Sequence, residues 1–494
     1  MFRYPRSRAF TLALAAISTT LAACSGGGTK SSSGGGGTTV TPTPTPVSSA
    51  CSLNSRQTWA AQQLDSWYLF PETLPANLSP AGYASVQDYI DALTATARAQ
   101  GKDRYFTYIT SIAEENAYYN SGSSAGFGVR FALDASNRLL VSESFEGAPA
   151  LAVGIDRGTE ILAIGTTSAN LVTVSSLLVS GGTNALNDAL GPSDPGVTRA
   201  FQIRDAAGTR TVSVTKADYA LTPVSTRYGA KVIDDGGRKV GYVNLRTFIN
   251  TAETPLRNAF ADFRAQGISE VIIDLRYNGG GLVSIADLVN NLLARDRTTS
   301  TVANYVTFRP SQSAQNETVY FTPQDQSIAP TRIAFIGTGG SASASELVMN
   351  TFIPYLGNRS ALVGTNTYGK PVGQIALDRA TCDDRLRVVA FALENAARQG
   401  AYYNGLAAFM GATCRASDDL SRQLGDPAEA STRAALDFLA GRACTSILAA
   451  PGGDVADGSG PTPQAGSAAL AARPMELLRP QRPTTPQREV PGLF

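Results

Sequence analysis

Hydrophobic positions change their period along this chain. From Cys51 to about Tyr119 they recur at helical spacing. Trp59, Leu64, Trp67 and Tyr68 approximate one apolar face, and Val86, Tyr89, Ile90 and Leu93 form a second, with Pro71 and Pro75 between them. Core packing is the ordinary role for these aromatics; stacking on a ligand is the alternative. From 121 to 217 the pattern shortens to strands broken by glycine turns: 126–131, 139–143, 197–203 and 211–215. From 218 to 448 apolar runs alternate with helical stripes. Strands are predicted at 240–245, 271–275 and 332–336, and helices at 253–266, 282–293 and 346–356. That alternation predicts a mostly parallel sheet with helices packed on it, an α/β class. Residues 449–494 repeat proline with few large apolar residues, which predicts a disordered tail.

The N-terminus reads as an address. Arg3, Arg6 and Arg8 precede an apolar run over 10–23 that is too short to span a bilayer as a mature helix. Leu21-Ala22-Ala23-Cys24 resembles a bacterial lipobox, which implies cleavage before Cys24 and acylation of its thiol; an ordinary secretory signal is the alternative. Ser25 rather than Asp points to the outer membrane, facing the periplasm. Residues 24–50, Gly/Ser-rich and then Thr-Pro repeats, form a linker that holds the body off the membrane. The expected divisions are therefore a signal peptide (1–23), linker (24–50), N-terminal helical domain (51–120), β-rich domain (121–217), α/β core (218–448) and tail (449–494).

Charge excludes one class of partner. The chain has 41 basic and 40 acidic residues; losing residues 1–23 removes three arginines and leaves a net charge of about −2, with no basic field for nucleic acid. Besides Cys24 there are Cys51, Cys382, Cys414 and Cys444, which in an exported chain suggest two disulfides with three possible connectivities. Cys414–Cys444 is preferred because both flank one predicted helical unit, and Cys51–Cys382 then follows. No CxxC spacing and no histidine support a metal site, and no cofactor is expected.

The complete absence of histidine directs the search for chemistry. A serine hydrolase without imidazole needs another base, and a lysine kept neutral is the known substitute. Ser341-Ala-Ser-Ala-Ser-Glu346 leads into the apolar Leu347-Val348-Met349 and reads as a nucleophile at a helix start; capping serines are the alternative. Lys370 lies in an acid-free segment, Tyr368-Gly369-Lys370-Pro371-Val372-Gly373, and Gln374 follows four residues on. Neutrality of a free lysine near pH 7.4 is only about one part in a thousand, and lowering its pKa by roughly three units requires about 4 kcal/mol of ammonium destabilisation. A glutamine oxygen can orient the amine without the negative charge that would favour ammonium.

Asp274-Leu-Arg-Tyr-Asn-Gly-Gly-Gly281, the serine run and Thr367-Tyr-Gly-Lys-Pro-Val-Gly-Gln374 together resemble the carboxyl-terminal processing (tail-specific) protease family of serine peptidases, over roughly residues 120–380. That resemblance implies a ClpP/crotonase-like α/β core with a small β-rich PDZ-like domain and an N-terminal helical segment. It implies Ser343 as nucleophile, Lys370 as base, Gln374 as third member, and Gly280 and Ala344 as oxyanion donors. The stretch 147–164 resembles the PDZ pattern, with Thr159 where Asp is usual; Gly126, Phe127, Gly128 and Val129 would then form the peptide-binding loop. A ligand-free β-domain is the alternative. The family often has Pro at Gly279, and the interval of 27 residues from Ser343 to Lys370 is slightly longer than usual. The expected function is an exported, membrane-tethered endopeptidase acting on proteins or peptides with apolar C-termini. A catalytically silent peptide-binding scaffold is the second reading and a crotonase-like acyl enzyme the third. The chain's own end, Val490-Pro-Gly-Leu-Phe494, could reach the groove, although an accidental apolar end is the simpler expectation.

Overall fold

Ser52 accepts from the Ser55 N–H and starts α1 (Leu53–Trp67); Ser85 does the same for α2 (Val86–Leu93) through Asp88. The computed structural model describes residues 49–449 and 475–494, so the signal peptide, Cys24 and nearly all of the linker lie outside the described residues. A strand, β1 (Tyr108–Ser111), interrupts the expected helical stretch before α3 (Ile112–Ser121). Residues 51–120 close no core of their own. Leu64, Tyr68, Val86 and Ile90 share one apolar cluster with Phe260, Val348 and Val389 of the α/β core.

The β-rich domain comprises β2 (Ser123–Gly126), β3 (Val129–Leu133), β4 (Leu139–Ser144), β5 (Glu160–Gly165), α4 (Val174–Leu190, bent at Gly181-Gly182), β6 (Thr198–Asp205), β7 (Gly208–Thr215) and β8 (Ala217–Ala220). Strands β3 to β7 form an antiparallel sheet around Phe127, Phe131, Ile161, Leu186 and Phe201. A short β2–β8 ladder closes the domain at its neck.

The core follows: β9 (Ala230–Asp235), β10 (Arg238–Asn244), α5 (Glu253–Ala265), β11 (Glu270–Asp274), α6 (Val283–Leu292), β12 (Val302–Phe308), β13 (Glu317–Tyr320), β14 (Arg332–Gly337), α7 (Ala344–Leu356), β15 (Ser360–Gly364), β16 (Val372–Arg379), β17 (Asp384–Asn395), β18 (Ala412–Arg415) and α8 (Ala430–Leu439). One sheet runs β9-β10-β11-β14-β15-β18 and is parallel except for the β9–β10 hairpin at its edge. Alternate residues of β11 serve opposite faces: Ile272 joins Leu436 of α8, while Val271 and Ile273 join the layer of α5, α6 and α7. The mixed α/β class expected from the alternation is the class observed. A second, antiparallel sheet, β1-β17-β12-β13 with β16 on β17, is an addition to the parallel sheet that was predicted.

Cys51 is bonded to Cys382 and Cys414 to Cys444, the preferred pairing. The expectation of a disordered tail fails for residues 475–494. Strand β19 (Glu476–Leu477) pairs antiparallel with β3, and a helical turn, α9 (Thr485–Glu489), follows. Leu478, Val490, Leu493 and Phe494 are buried, so these few apolar residues find a core that their local composition does not reveal. Among the described residues no helix is long and apolar enough to cross a membrane.

Candidate active site

Strand β14 delivers a tight turn whose last residue, Ser343, precedes α7. Its φ of 55° lies in the left-handed region, an uncommon conformation for a residue with a side chain. The three serines of the run separate by their surroundings. Ser341 Oγ donates to the Leu275 carbonyl at 2.7 Å and Ser345 Oγ to the Asn278 carbonyl at 2.8 Å, and both residues are fully buried. Ser343 alone is partly exposed.

Lys370 enters from the loop between β15 and β16. Its Nζ donates to Gln374 Oε1 at 2.9 Å and sits 4.9 Å from the centre of the Phe106 ring. Burial holds the amine below its ordinary pKa, while the carboxylate of Glu489 pulls the other way. Gln374 lies at a bulge in the β16–β17 ladder, and its Nε2 donates to the Phe106 carbonyl, so its oxygen is left facing the lysine. Ser343 Oγ and Lys370 Nζ share no hydrogen bond among the described residues.

What joins the two segments is Glu346, a residue the sequence reading quoted without assigning a role. Its buried carboxylate accepts from Ser343 N–H (3.0 Å), Lys370 N–H (2.7 Å), Gly369 N–H (2.7 Å) and Thr367 Oγ1 (2.6 Å). Burial raises its pKa, and these donors oppose that rise. Its position three residues into α7 was the available signal, since an acid there commonly caps a helix start; the reach to 367–370 had none.

The glycine loop after β11 faces Ser343. A Cβ at Gly280 (φ 125°) would come within 2.9 Å of Ser343 Cβ, so only glycine allows this approach. The Gly280 N–H is directed to Asn278 Oδ1 at 3.0 Å, and Asn278 Nδ2 is in turn held on the Leu245 carbonyl at 2.8 Å. Ala344 begins α7 directly beside Ser343, where helix N–H groups lack intrahelical acceptors. Beneath the loop, Arg276 bridges Asp274 (3.0 Å) and Glu429 (2.9 Å), all fully buried. Among the described residues no cluster of metal-ligating side chains occurs.

Residues 239–394 match the model of peptidase family S41. That segment contains every expected catalytic and oxyanion residue. Among curated proteins, the chloroplastic C-terminal processing peptidase of Tetradesmus obliquus is 26% identical over 270 residues, covering 52% of this chain and 54% of its own length. The carboxyl-terminal-processing protease of Picosynechococcus sp. is 27% identical over 252 residues, covering 51% and 55%. The chain thus spans about half the length of the curated relatives it matches. A Bacteroides fragilis protein assigned to the S41 proteases superposes with a TM-score of 0.59 at 23% identity, covering 78% of this chain and 97% of that one, a likeness of fold. Residues 239–394 are thus similar to peptidase family S41, and the two curated relatives named are carboxyl-terminal-processing peptidases.

Outside the S41 segment, the expected peptide-binding loop is placed at the start of β3. Gly128 and Val129 donate their N–H groups to the Phe494 oxygen, Gly126 lies against the backbone of Phe494, and Phe127 is buried in the β-domain core. Arg130, for which the sequence offered no signal, reaches from β3 to the glycine loop after β11. Its Nη1 donates to the Tyr277 carbonyl at 2.7 Å and its Nε to Glu143 at 3.3 Å.

Proposed function

We propose that this chain is a serine endopeptidase that works by a Ser343–Lys370–Gln374 site and cuts exported proteins near apolar C-termini. One observation carries the reading: the only accessible serine of the run and the partly buried Lys370 are both fixed through their backbone N–H groups to one carboxylate, Glu346. Neutral Lys370 Nζ accepts the Ser343 Oγ proton as Oγ bonds to the substrate carbonyl carbon. The oxyanion is received by the N–H groups of Gly280 and Ala344, the first turning away from Asn278 to do so. The ammonium returns its proton to the leaving amine as the C–N bond breaks, and a water molecule, activated by the same lysine, releases the acyl group. The β-rich domain, read as PDZ-like, presents the loop 126–129 for an extended peptide end by strand addition to β3. Cys24 is the anchor in this reading, placing the enzyme in the bacterial envelope, at the outer membrane facing the periplasm.

A serine-directed phosphonate provides the test. Wild type should be labelled at Ser343 and should generate new termini in periplasmic extract; Ser343→Ala should do neither, and Ser345→Ala should still be labelled. The scaffold reading draws support from the commitment of Gly280 N–H to Asn278 and from the missing Ser343–Lys370 hydrogen bond. A folded wild-type protein that is neither labelled nor active, even with its last fifteen residues removed, would favour that reading.

A further inference from the structure

The last residues of the chain lie across the site just described. Leu478 N–H donates to the Phe131 carbonyl, and β19 pairs with the far half of β3. The chain then leaves β3, crosses the catalytic loop and returns to the near half of the same strand. There Phe131 N–H donates to the Gly492 carbonyl at 2.8 Å, Phe494 N–H donates to the Val129 carbonyl at 2.9 Å, and the Phe494 oxygen accepts from Gly128 (2.9 Å) and Val129 (3.3 Å). The Phe494 ring lies 5.9 Å from that of Phe131 inside the β-domain core. Both ends of the excursion are therefore pinned to the strand that carries the peptide-binding loop.

Its middle meets the catalytic groups. The Glu489 carbonyl accepts from Gly279 N–H at 2.9 Å, one residue from the proposed oxyanion donor. A Cβ at Gly279 would stand 2.4 Å from the Arg488 carbonyl, so the tail sits in space that only a glycine leaves open. Glu489 is buried, takes a hydrogen bond from Tyr119 at 3.1 Å, and faces Lys370 closely enough to favour its ammonium form. Arg130 donates to the Pro491 carbonyl at 2.6 Å with the same nitrogen that holds Tyr277. The segment over the site is helical at 485–489, not extended, and the carbonyl it offers goes to Gly279.

We infer that residues 480–494 are a built-in inhibitor: an intramolecular ligand that fills the peptide groove and covers the Ser343–Lys370 site without being cut. This regulation rests on the peptidase reading for its consequence, but the occupancy itself does not. A tethered occupant competes at a high effective concentration, so an external peptide must wait for the tail to leave.

The test separates the two. In a Ser343→Ala background, a fluorescein-labelled peptide of residues 480–494 should bind a chain ending at Arg479 and bind the full chain at least about tenfold more weakly. Equal affinity for both chains, with cooperative unfolding retained, overturns the occupancy. Should the shortened chain fail to fold, Phe494→Glu in the full chain keeps the question open to measurement. A carboxylate in that buried pocket should release the tail and restore peptide binding, and unchanged weak binding overturns the inference. With Ser343 intact, the released forms should take up phosphonate and cut an apolar-ended peptide about tenfold or more faster than the full chain. Intact mass of the full chain after long incubation should show no cut within 480–494; a cut there would make the tail a substrate and overturn its role as inhibitor. Loss of all hydrolysis with the binding difference preserved would remove the peptidase reading and leave the occupancy standing.

Discussion

Neutral amine is the scarce species at Lys370. Burial beside Phe106 favours it, and Arg488 and Arg387 add to that, while Glu489 and Asp103 favour ammonium. Because the proposed mechanism needs Lys370 neutral, hydrolysis of an external peptide should rise with pH through a single limb centred below the ordinary lysine value of about 10.4. Lys370→Arg should be inactive at every pH, since guanidinium does not deprotonate. Gln374→Glu would put a negative charge where Oε1 now lies at 2.9 Å and should move the limb to higher pH. A limb unmoved by that substitution, followed as kcat/KM against pH, would remove Gln374 from the site. Glu346 invites a second experiment. Glu346→Gln turns a donor toward groups that are themselves donors, and should cost about 1–3 kcal/mol in denaturant melts. Phosphonate uptake should slow by more than the loss of folded protein explains, because the same change frees Ser343 from Lys370.

Helix α7, which begins beside Ser343, shows how a buried helix tolerates a proline. Pro354 offers no N–H to Asn350, four residues back, and the Asn395 side chain at the end of β17 supplies one to that carbonyl at 3.3 Å. Asn395→Ala should therefore destabilise the protein by about 1–3 kcal/mol, measured by urea unfolding, as the buried carbonyl loses its partner. Legibility from sequence varied by element for identifiable reasons. The parallel strands β11 and β14 are covered on both faces and read as continuous apolar runs. Ser343, Lys370 and Gln374 stand out as candidates in the sequence because they lie in compact local motifs near glycines. Strand β17 was not: Arg385 and Arg387 break its apolar pattern and are satisfied by Glu115, some 270 residues earlier. The tail was misread for the same kind of reason. Leu478, Val490, Leu493 and Phe494 are spread among prolines and arginines; Leu478 and Phe494 are buried with Phe131 of β3, and Val490 and Leu493 with Phe145, Tyr219 and Leu221, all distant in sequence.

At the scale of the molecule, the two disulfides close loops of very different length. Cys51–Cys382 spans 331 residues and Cys414–Cys444 spans 30. Chain-entropy arguments give roughly 5–6 kcal/mol for the first and roughly 3.5–4 kcal/mol for the second. Replacing Cys51 and Cys382 by serine should lower the unfolding midpoint by more than replacing the other pair, and calorimetry on the two variants would show the order. An equal or reversed order would mean that the N-terminal segment stays docked in the chain unfolded with its disulfides intact.

The longer bridge has a mechanical side. Residues 24–50 join the body at Cys51, and Cys51 is bonded to Cys382 in the turn between β16 and β17. A pull applied ahead of Cys51 is delivered through a sulfur–sulfur bond into the turn of the β16–β17 hairpin and bypasses α1, which would otherwise peel away first. Load carried this way reaches the strand that bears Gln374. In an optical trap, the oxidised protein pulled from its N-terminus should hold to a higher force than the reduced one, and its early extension step, the release of α1, should be missing.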